Sequence, residues 1–366
     1  MSEGQRALWV IEQTAPGNAA YNLPVAVWLD ADTDLATLRA ALEILVARHP
    51  ALRTVLADED GTPVQIVRPE AAFAFSHERV PAAEADALAR RLRARVREPF
   101  DLAGGPLLRA EVHTVPDGRH ALLLTLHHAV FDGTSIAVLL DELTDAYLAL
   151  RDGRPVPQPQ PAADYADFAD WQRRMLAGPR GDRLREFWRE RTAGAELLRL
   201  PTDRPRAEAP CLDGASTEHR LDAELIAAAE RYAAEAGVSL FAVLFTAWIA
   251  MLDRHAEQRR ITVGTPVAGR PEGRFAGTVG YFVNLVPVTV EPGPRDTFGT
   301  LLRQVRAEAL DAVEHGDHPF LRIAEDHGGP LVSTAFYFQN WLAERSGPAL
   351  VRGGWWTAST RRASSS

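Results

Sequence analysis

Apolar and polar positions follow two rhythms along this chain, and the change between them is sharpest between residues 120 and 147. Leu122 to Leu126 is a short, near-continuous apolar run, which predicts a strand buried on both faces. It stops at two histidines, His127 and His128, and three residues later comes Asp132-Gly133. Directly after, Ile136, Leu139, Leu140, Leu143 and Tyr147 fall at helical spacing, with Thr134 or Ser135 placed to cap that helix. The unit reads as strand, tight polar turn, helix. Both histidines lie at the strand's carboxyl end, where loops of layered α/β structures carry chemistry.

The same periodicities run on either side. Residues 2–12 read as a short helix and Val25–Leu29 as a strand. Asp34 caps a helix whose buried stripe is Leu35, Leu38, Leu42, Leu45 and Val46. Strands over Arg53–Leu56 and Pro63–Val67 are joined by the turn residues Asp60-Gly61. A basic amphipathic helix is expected over residues 83–97, then a strand over Leu107–Val115 beside the histidine-bearing one. The Pro- and Gln-rich stretch after Leu150 is a linker by composition. A helix starts at Tyr165, an amphipathic one covers 222–236, and 239–254 predicts a buried helix through Leu240, Val243, Leu244, Ala247, Trp248 and Met251. Ile261 opens a further strand, and Phe298, Leu301, Leu302, Val305 and Ala309 mark a long helix. The expected division is 1–155 for a first lobe with the histidines, 156–345 for an incomplete second lobe, and 346–366 for an atypical tail.

Composition narrows the class. A chain of 366 residues accommodates two lobes of ordinary size. The net charge of −9 is spread without long blocks, so there is no nucleic-acid footprint and no membrane-attracting basic face. The single cysteine, Cys211, excludes an internal disulfide framework and suits a reducing cytoplasm. No segment has the unbroken apolar length of a bilayer span, and the polar start Met1–Arg6 is no signal peptide. Residues 352–366 hold three arginines and no acid, unlike the acidic chain before them.

If the strand continues through His127 and His128, they face opposite sides of the sheet. One then enters a cleft and the other is packed. A metal shared by both is the weaker reading, because ligating pairs sit at i, i+4 on a helix or i, i+2 on a strand. No metal is expected.

His127-His128-Ala-Val-Phe-Asp132-Gly133 resembles the HHxxxDG signature of condensation domains of nonribosomal peptide synthetases, relatives of chloramphenicol acetyltransferase. Other segments extend the likeness. Arg48-His-Pro-Ala-Leu-Arg53 resembles RHxxLR, and Pro99-Phe-Asp-Leu102 resembles PFDL. Val263–Arg270 matches VGTPVAGR, Gly280-Tyr-Phe-Val-Asn284 resembles GFFVN, and Phe336-Tyr-Phe-Gln-Asn340 resembles FxxQN. The likeness covers residues 2–340 and ends there, which points to a truncation or frameshift, with a shorter natural variant as the alternative.

The resemblance implies two chloramphenicol-acetyltransferase-like αβα lobes with mixed sheets, arranged in a V-shaped pseudo-dimer with the active site in the cleft. It implies an acyltransferase that forms an amide between groups carried as thioesters on 4'-phosphopantetheine of donor and acceptor carrier proteins, with no cofactor of its own. His128 is then the catalytic histidine and the Gly133 amide an oxyanion contact. His127 is packed, and Asp132 forms an ion pair that holds the turn, with Arg270 as first choice of partner and Arg53 as second. Thr134, Ser135, Tyr281, Asn284 and Gln339 are placed along the substrate channel. Two alternatives stay open: a truncated, non-catalytic carrier-binding module, and an epimerase-type relative, against which Val279-Gly-Tyr-Phe-Val-Asn284 argues.

Overall fold

The computed structural model describes residues 1–70, 72–81, 88–158, 162–203, 212 and 214–339. Cys211 and the tail 346–366 lie outside the described residues. The first half runs through α1 (Glu3–Thr14), β1 (Asn22–Leu29), α2 (Leu35–Arg48), β2 (Thr54–Glu59) and β3 (Thr62–Val67). It continues with β4 (Ala74–Arg79), α3 (Leu88–Val96), β5 (Leu108–Thr114), β6 (His120–His127) and α4 (Gly133–Arg151). The second half holds α5 (Tyr165–Leu176), α6 (Pro179–Thr192), α7 (Ala223–Ala236) and α8 (Leu240–His255). Then come β7 (Ile261–Val267), β8 (Asn284–Val290), α9 (Phe298–Glu314) and α10 (Phe320–His327).

Local chemistry explains where several of these start. Ser2 and Gln5 form a reciprocal capping box at α1, each side chain taking the other's backbone amide at 3.1 Å. Asp34 caps α2 through the Thr37 amide at 3.0 Å. β4 and α6 carry no clear apolar rhythm and were not expected. Of the basic helix expected over 83–97, residues 83–87 lie outside the described residues.

The first half is built on a four-stranded sheet in the order β1-β6-β5-β4, antiparallel except where β4 runs parallel to β5. Every residue of β6 is buried. Leu122, Leu124 and Leu126 point into the main core with α2 and α4, and Ala121 and Leu123 meet Leu88, Leu92 and Val96 of α3 on the other face. Two apolar faces on one strand explain its unbroken hydrophobic run.

The second core gathers Trp188, Leu198, Phe245, Ile249, Leu252, β7, β8 and α9. Among the described residues its named strands are the antiparallel pair β7-β8, with residues 334–336 running parallel beside β7. The Gly264 amide donates to the Thr334 carbonyl at 3.0 Å, and the Gly264 carbonyl accepts from the Phe336 amide at 2.8 Å.

Packing does not divide where the linker does. Tyr165, Phe168, Phe275, Val279 and Phe282 belong to the first core, so the second half reaches into it. The face of α8 also differs from expectation. Ala242, Phe245, Thr246, Ile249 and Leu252 are buried with Val243, whereas Ala247 and Met251 are exposed and Leu240, Leu244 and Trp248 are not among the buried residues. This helix is apolar nearly all round, so periodicity alone does not select the inward face. Among the described residues no single helix is long and apolar enough to cross a membrane.

Candidate active site

The site grows from the end of β6. The strand stops at His127, and residues 128–130 form a 3-10 turn that leads to Phe131 and Asp132. Strand alternation therefore ends one residue before His128, and the turn sets that ring's direction. Backbone bonds fix both histidines: His127 N–H donates to the Leu107 carbonyl at 3.0 Å, and His128 N–H to the Tyr21 carbonyl at 2.8 Å. The buried Gln5 amide from α1 donates to the Ala129 carbonyl at 3.1 Å, clamping the turn from the chain's first helix.

The two rings are in different situations. His127 is 4% exposed, lies edge-on to Phe100, and accepts from the Ala129 amide through Nδ1 at 3.2 Å. Burial, helped by the neighbouring His128, pushes its pKa down to about 4. His128 donates from Nδ1 to the Phe131 carbonyl at 2.7 Å. Because a carbonyl only accepts, the neutral ring has its free lone pair on Nε2. Burial lowers the His128 pKa, against the opposing pull of the Phe131 carbonyl and of Asp132. Near neutral pH both rings are uncharged.

Behind the turn, Asp132 caps α4 and binds the second half at once. Its Oδ1 accepts from the Ser135 amide at 2.8 Å, the Ser135 hydroxyl at 2.7 Å and Arg270 Nη2 at 3.0 Å. Its Oδ2 accepts from Arg270 Nη1 at 3.0 Å and the Phe282 amide at 3.1 Å. Arg270 also donates to the Ser135 hydroxyl and the Thr278 carbonyl, and its guanidinium lies 4.3 Å from the Phe282 ring centroid. Two glycines make this approach possible. Gly269 has φ +64°, and a Cβ there would sit 1.8 Å from the Phe282 carbonyl oxygen. A Cβ on Gly280 would enter the Tyr165 ring at 2.2 Å.

In front of the turn, a cavity of about 440 Å³ is lined by His128, Tyr21 and Tyr281, by α1 residues Leu8 and Ile11, and by Val283, Leu285 and Phe320 among others. The His128 and Tyr281 rings meet edge to face, 4.7 Å between centroids. Burial raises the phenol pKa values of Tyr21 and Tyr281, so both stay protonated.

The residues singled out in the sequence divide accordingly. His127, Asp132 and Arg270 meet at the turn as described. Arg53 does not reach Asp132; its guanidinium donates to the carbonyls of Val46, Ala47 and Arg68, closing the end of α2. Neither Thr134 nor Ser135 caps α4, because Asp132 does. Ser135 is no channel residue: it is fully buried, and its hydroxyl also faces the backbone of Gly280, accepting from that amide at 3.1 Å. Asn284 lines the cavity, but its amide is taken up by the Gly316 and His318 carbonyls and the Phe320 amide. Tyr281 does line the cavity, whereas Thr134, half-buried, and Gln339, exposed, are not among its lining residues. Gly133, expected as an oxyanion contact, is half-buried at the first turn of α4 and is likewise not among the cavity's lining residues. Gln5 and Phe131 went unassigned in the sequence. A polar residue inside an opening helix hints at Gln5; a carbonyl acceptor leaves no sequence signal. Among the described residues no three His, Cys, Asp or Glu side chains gather as a metal set.

A family model described as the Condensation domain matches residues 1–351. The likeness therefore runs past Asn340, where it had been expected to end. A linear gramicidin synthase of Brevibacillus parabrevis is 36% identical over 354 residues, which is 93% of this chain and 4% of that protein. Phosphinothricin tripeptide synthetase PhsC of Streptomyces viridochromogenes is 36% identical over 352 residues, 93% of this chain and 32% of that protein. This chain thus spans under a third of either relative. Among solved structures, the first condensation domain of the calcium-dependent antibiotic synthetase, in complex with a substrate analogue, matches with a TM-score of 0.80 at 26% identity. That match covers 92% of this chain and 80% of the other.

Proposed function

The chain belongs to the condensation-domain family, two-lobed acyltransferases of nonribosomal peptide synthesis, and from that premise we propose that it forms amides with His128 at the reacting amine. Its substrates arrive on the 4'-phosphopantetheine arms of a donor and an acceptor carrier protein, in the reducing cytoplasm that its single cysteine suits. The donor acyl group is a thioester, and the acceptor aminoacyl group presents a free amine. Tethering both supplies much of the rate, since it replaces a bimolecular encounter by positioning.

The amine lone pair attacks the thioester carbonyl, giving an oxyanion and an ammonium. An α-amino group has a pKa of about 8, so a weak base suffices. His128 Nε2 takes a proton from the ammonium, the carbonyl re-forms, and the C–S bond breaks as the C–N bond is retained. The leaving thiolate receives the proton. Gly133 is not among the cavity's lining residues, so the oxyanion role expected of its amide is not part of this proposal.

One observation carries this reading: the 2.7 Å bond from Nδ1–H to the Phe131 carbonyl fixes the tautomer and leaves Nε2 as the base at the cavity. The test is amide formation between separately loaded carrier proteins. His128→Ala should lose about 10²–10⁴-fold in turnover with its melting midpoint near wild type. Wild-type turnover in that variant overturns the assignment.

A further inference from the structure

We propose that the cavity at His128 selects an uncharged, apolar acyl or aminoacyl side chain and turns away acidic and basic ones, an inference that rests on the acyl-transfer reading. The walls are Leu8 and Ile11 of α1, Val283 just before β8 and Leu285 within it, and Phe320 and Leu321 of α10. The volume of about 440 Å³ is within the range of small-molecule sites.

The polar groups on this surface are already committed. Glu3, the only carboxylate among the described lining residues, is held by Arg6 Nη1 at 3.1 Å and Arg322 Nη2 at 2.8 Å. The Asn284 amide serves three backbone groups of residues 316–320. His128 Nδ1 is taken by Phe131. What remains is Nε2 and the tyrosine hydroxyls of Tyr21, Tyr281 and Tyr337, all uncharged donors or acceptors. They suit the amide and carbonyl groups of a pantetheine thioester. They give no counter-charge to a lysine, arginine, aspartate or glutamate side chain, which would be buried unpaired.

The probes are pantetheine amides of leucine, phenylalanine, aspartate and lysine, with nitrogen in place of the thioester sulfur. Each is made with a free and with an acylated α-amine, so that acceptor-like and donor-like occupants are told apart. Binding is measured by calorimetry on the His128→Ala protein, which separates recognition from turnover. Leucine and phenylalanine probes should bind at least ~100-fold more tightly than aspartate and lysine probes in one of the two series. Leu285→Asp should weaken the apolar probes at least ~10-fold and improve the lysine probe. Leu285 packs against Gly264, so Ile11→Glu, on the half-buried face of α1, gives the same reading if Leu285→Asp does not fold. Equal affinity for charged and apolar probes, or no binding of any probe, overturns the inference. Apolar preference in binding without amide turnover by the wild type supports the inference and overturns the reaction assigned above.

Discussion

Two sets of ion pairs join the first half of the chain to the second, in opposite surroundings. Asp132 and Arg270 are 1% and 8% exposed and bind through two parallel bonds, with the Ser135 hydroxyl and the Phe282 amide completing the shell. Near the cavity, which Glu3 lines, Arg322–Glu3 and Arg6–Glu325 link α10 to α1; both arginines are around 40% exposed and Glu3 is 17% exposed. In the first set each partner has been taken out of water, so removing either strands the other. In the second, water replaces whatever is lost. The turn at His128 is anchored by the first kind of contact, and Glu3, of the second kind, lines the cavity. The chemistry therefore sits on a fixed base beside a wall that is cheap to alter.

The comparison breaks most visibly at the buried pair. Arg270→Ala should cost about 3–5 kcal/mol, read as a lower urea midpoint at unchanged slope, because Asp132 stays buried without its cation. A midpoint within error of wild type would remove the claim that this pair anchors the turn.

Acid tests the same buried region from another side. His127 has a folded pKa near 4 against an unfolded value of about 6.5, so between those values the unfolded chain binds the extra proton. Stability is complete above pH 6.5 and falls as the pH drops toward 4, by up to about 3 kcal/mol for this one group. His318, also buried and near pKa 4, titrates in the same window. Urea titrations at pH 7 and pH 4.5 should show the fall, and His127→Asn should remove about one proton from its slope. An unchanged slope in that variant would place the titration elsewhere.

Ser135→Ala deletes one hydroxyl from the lock and should cost about 1–3 kcal/mol, with the Gly280 amide left short of its acceptor. Beside the cavity, Glu3→Gln removes pairs to two arginines that are around 40% exposed and should cost no more than about 1 kcal/mol. That small difference should vanish in 1 M salt, where the screening length is about 3 Å. A Glu3→Gln loss as large as that of Arg270→Ala would erase the distinction between the two regions.

What was legible in the sequence follows from what is local. The run Leu122–Leu126, short and apolar throughout, reads as a strand covered on two faces, and Asp34 could be seen to cap its helix. The Asp132–Arg270 pairing came from two matched motifs, not from any local rule. Ser135 shows the limit: a hydroxyl beside Asp-Gly fits a channel as well as a buried lock, and only Gly280, 145 residues on, decides it. β4, Ala74–Arg79, is mostly polar and exists through its parallel pairing with β5, a partner no local pattern announces. The inward face of α8 was hidden for the opposite reason, since apolar residues lie on too many sides.

The turn's fastenings also set when it can exist. Its Ala129 carbonyl is held from 124 residues upstream, while the Asp132 carboxylate waits for Arg270 138 residues downstream and for the Phe282 amide 150 residues downstream. Closing such loops costs little more in equilibrium terms than closing shorter ones, about 0.6 kcal/mol per doubling of length. The consequence is in time. On a ribosome adding about 5–20 residues per second, Asp132 is made on the order of ten to thirty seconds before its last donor. Through that interval the carboxylate has the Ser135 amide and hydroxyl and water as partners but not Arg270 or Phe282, while the end of β6 is already held by Leu107, Tyr21 and Gln5 from upstream. Pulse-labelled hydrogen exchange on stalled nascent chains should find the His127 and His128 amides, whose acceptors Leu107 and Tyr21 lie upstream, protected before Phe282 has cleared the exit tunnel.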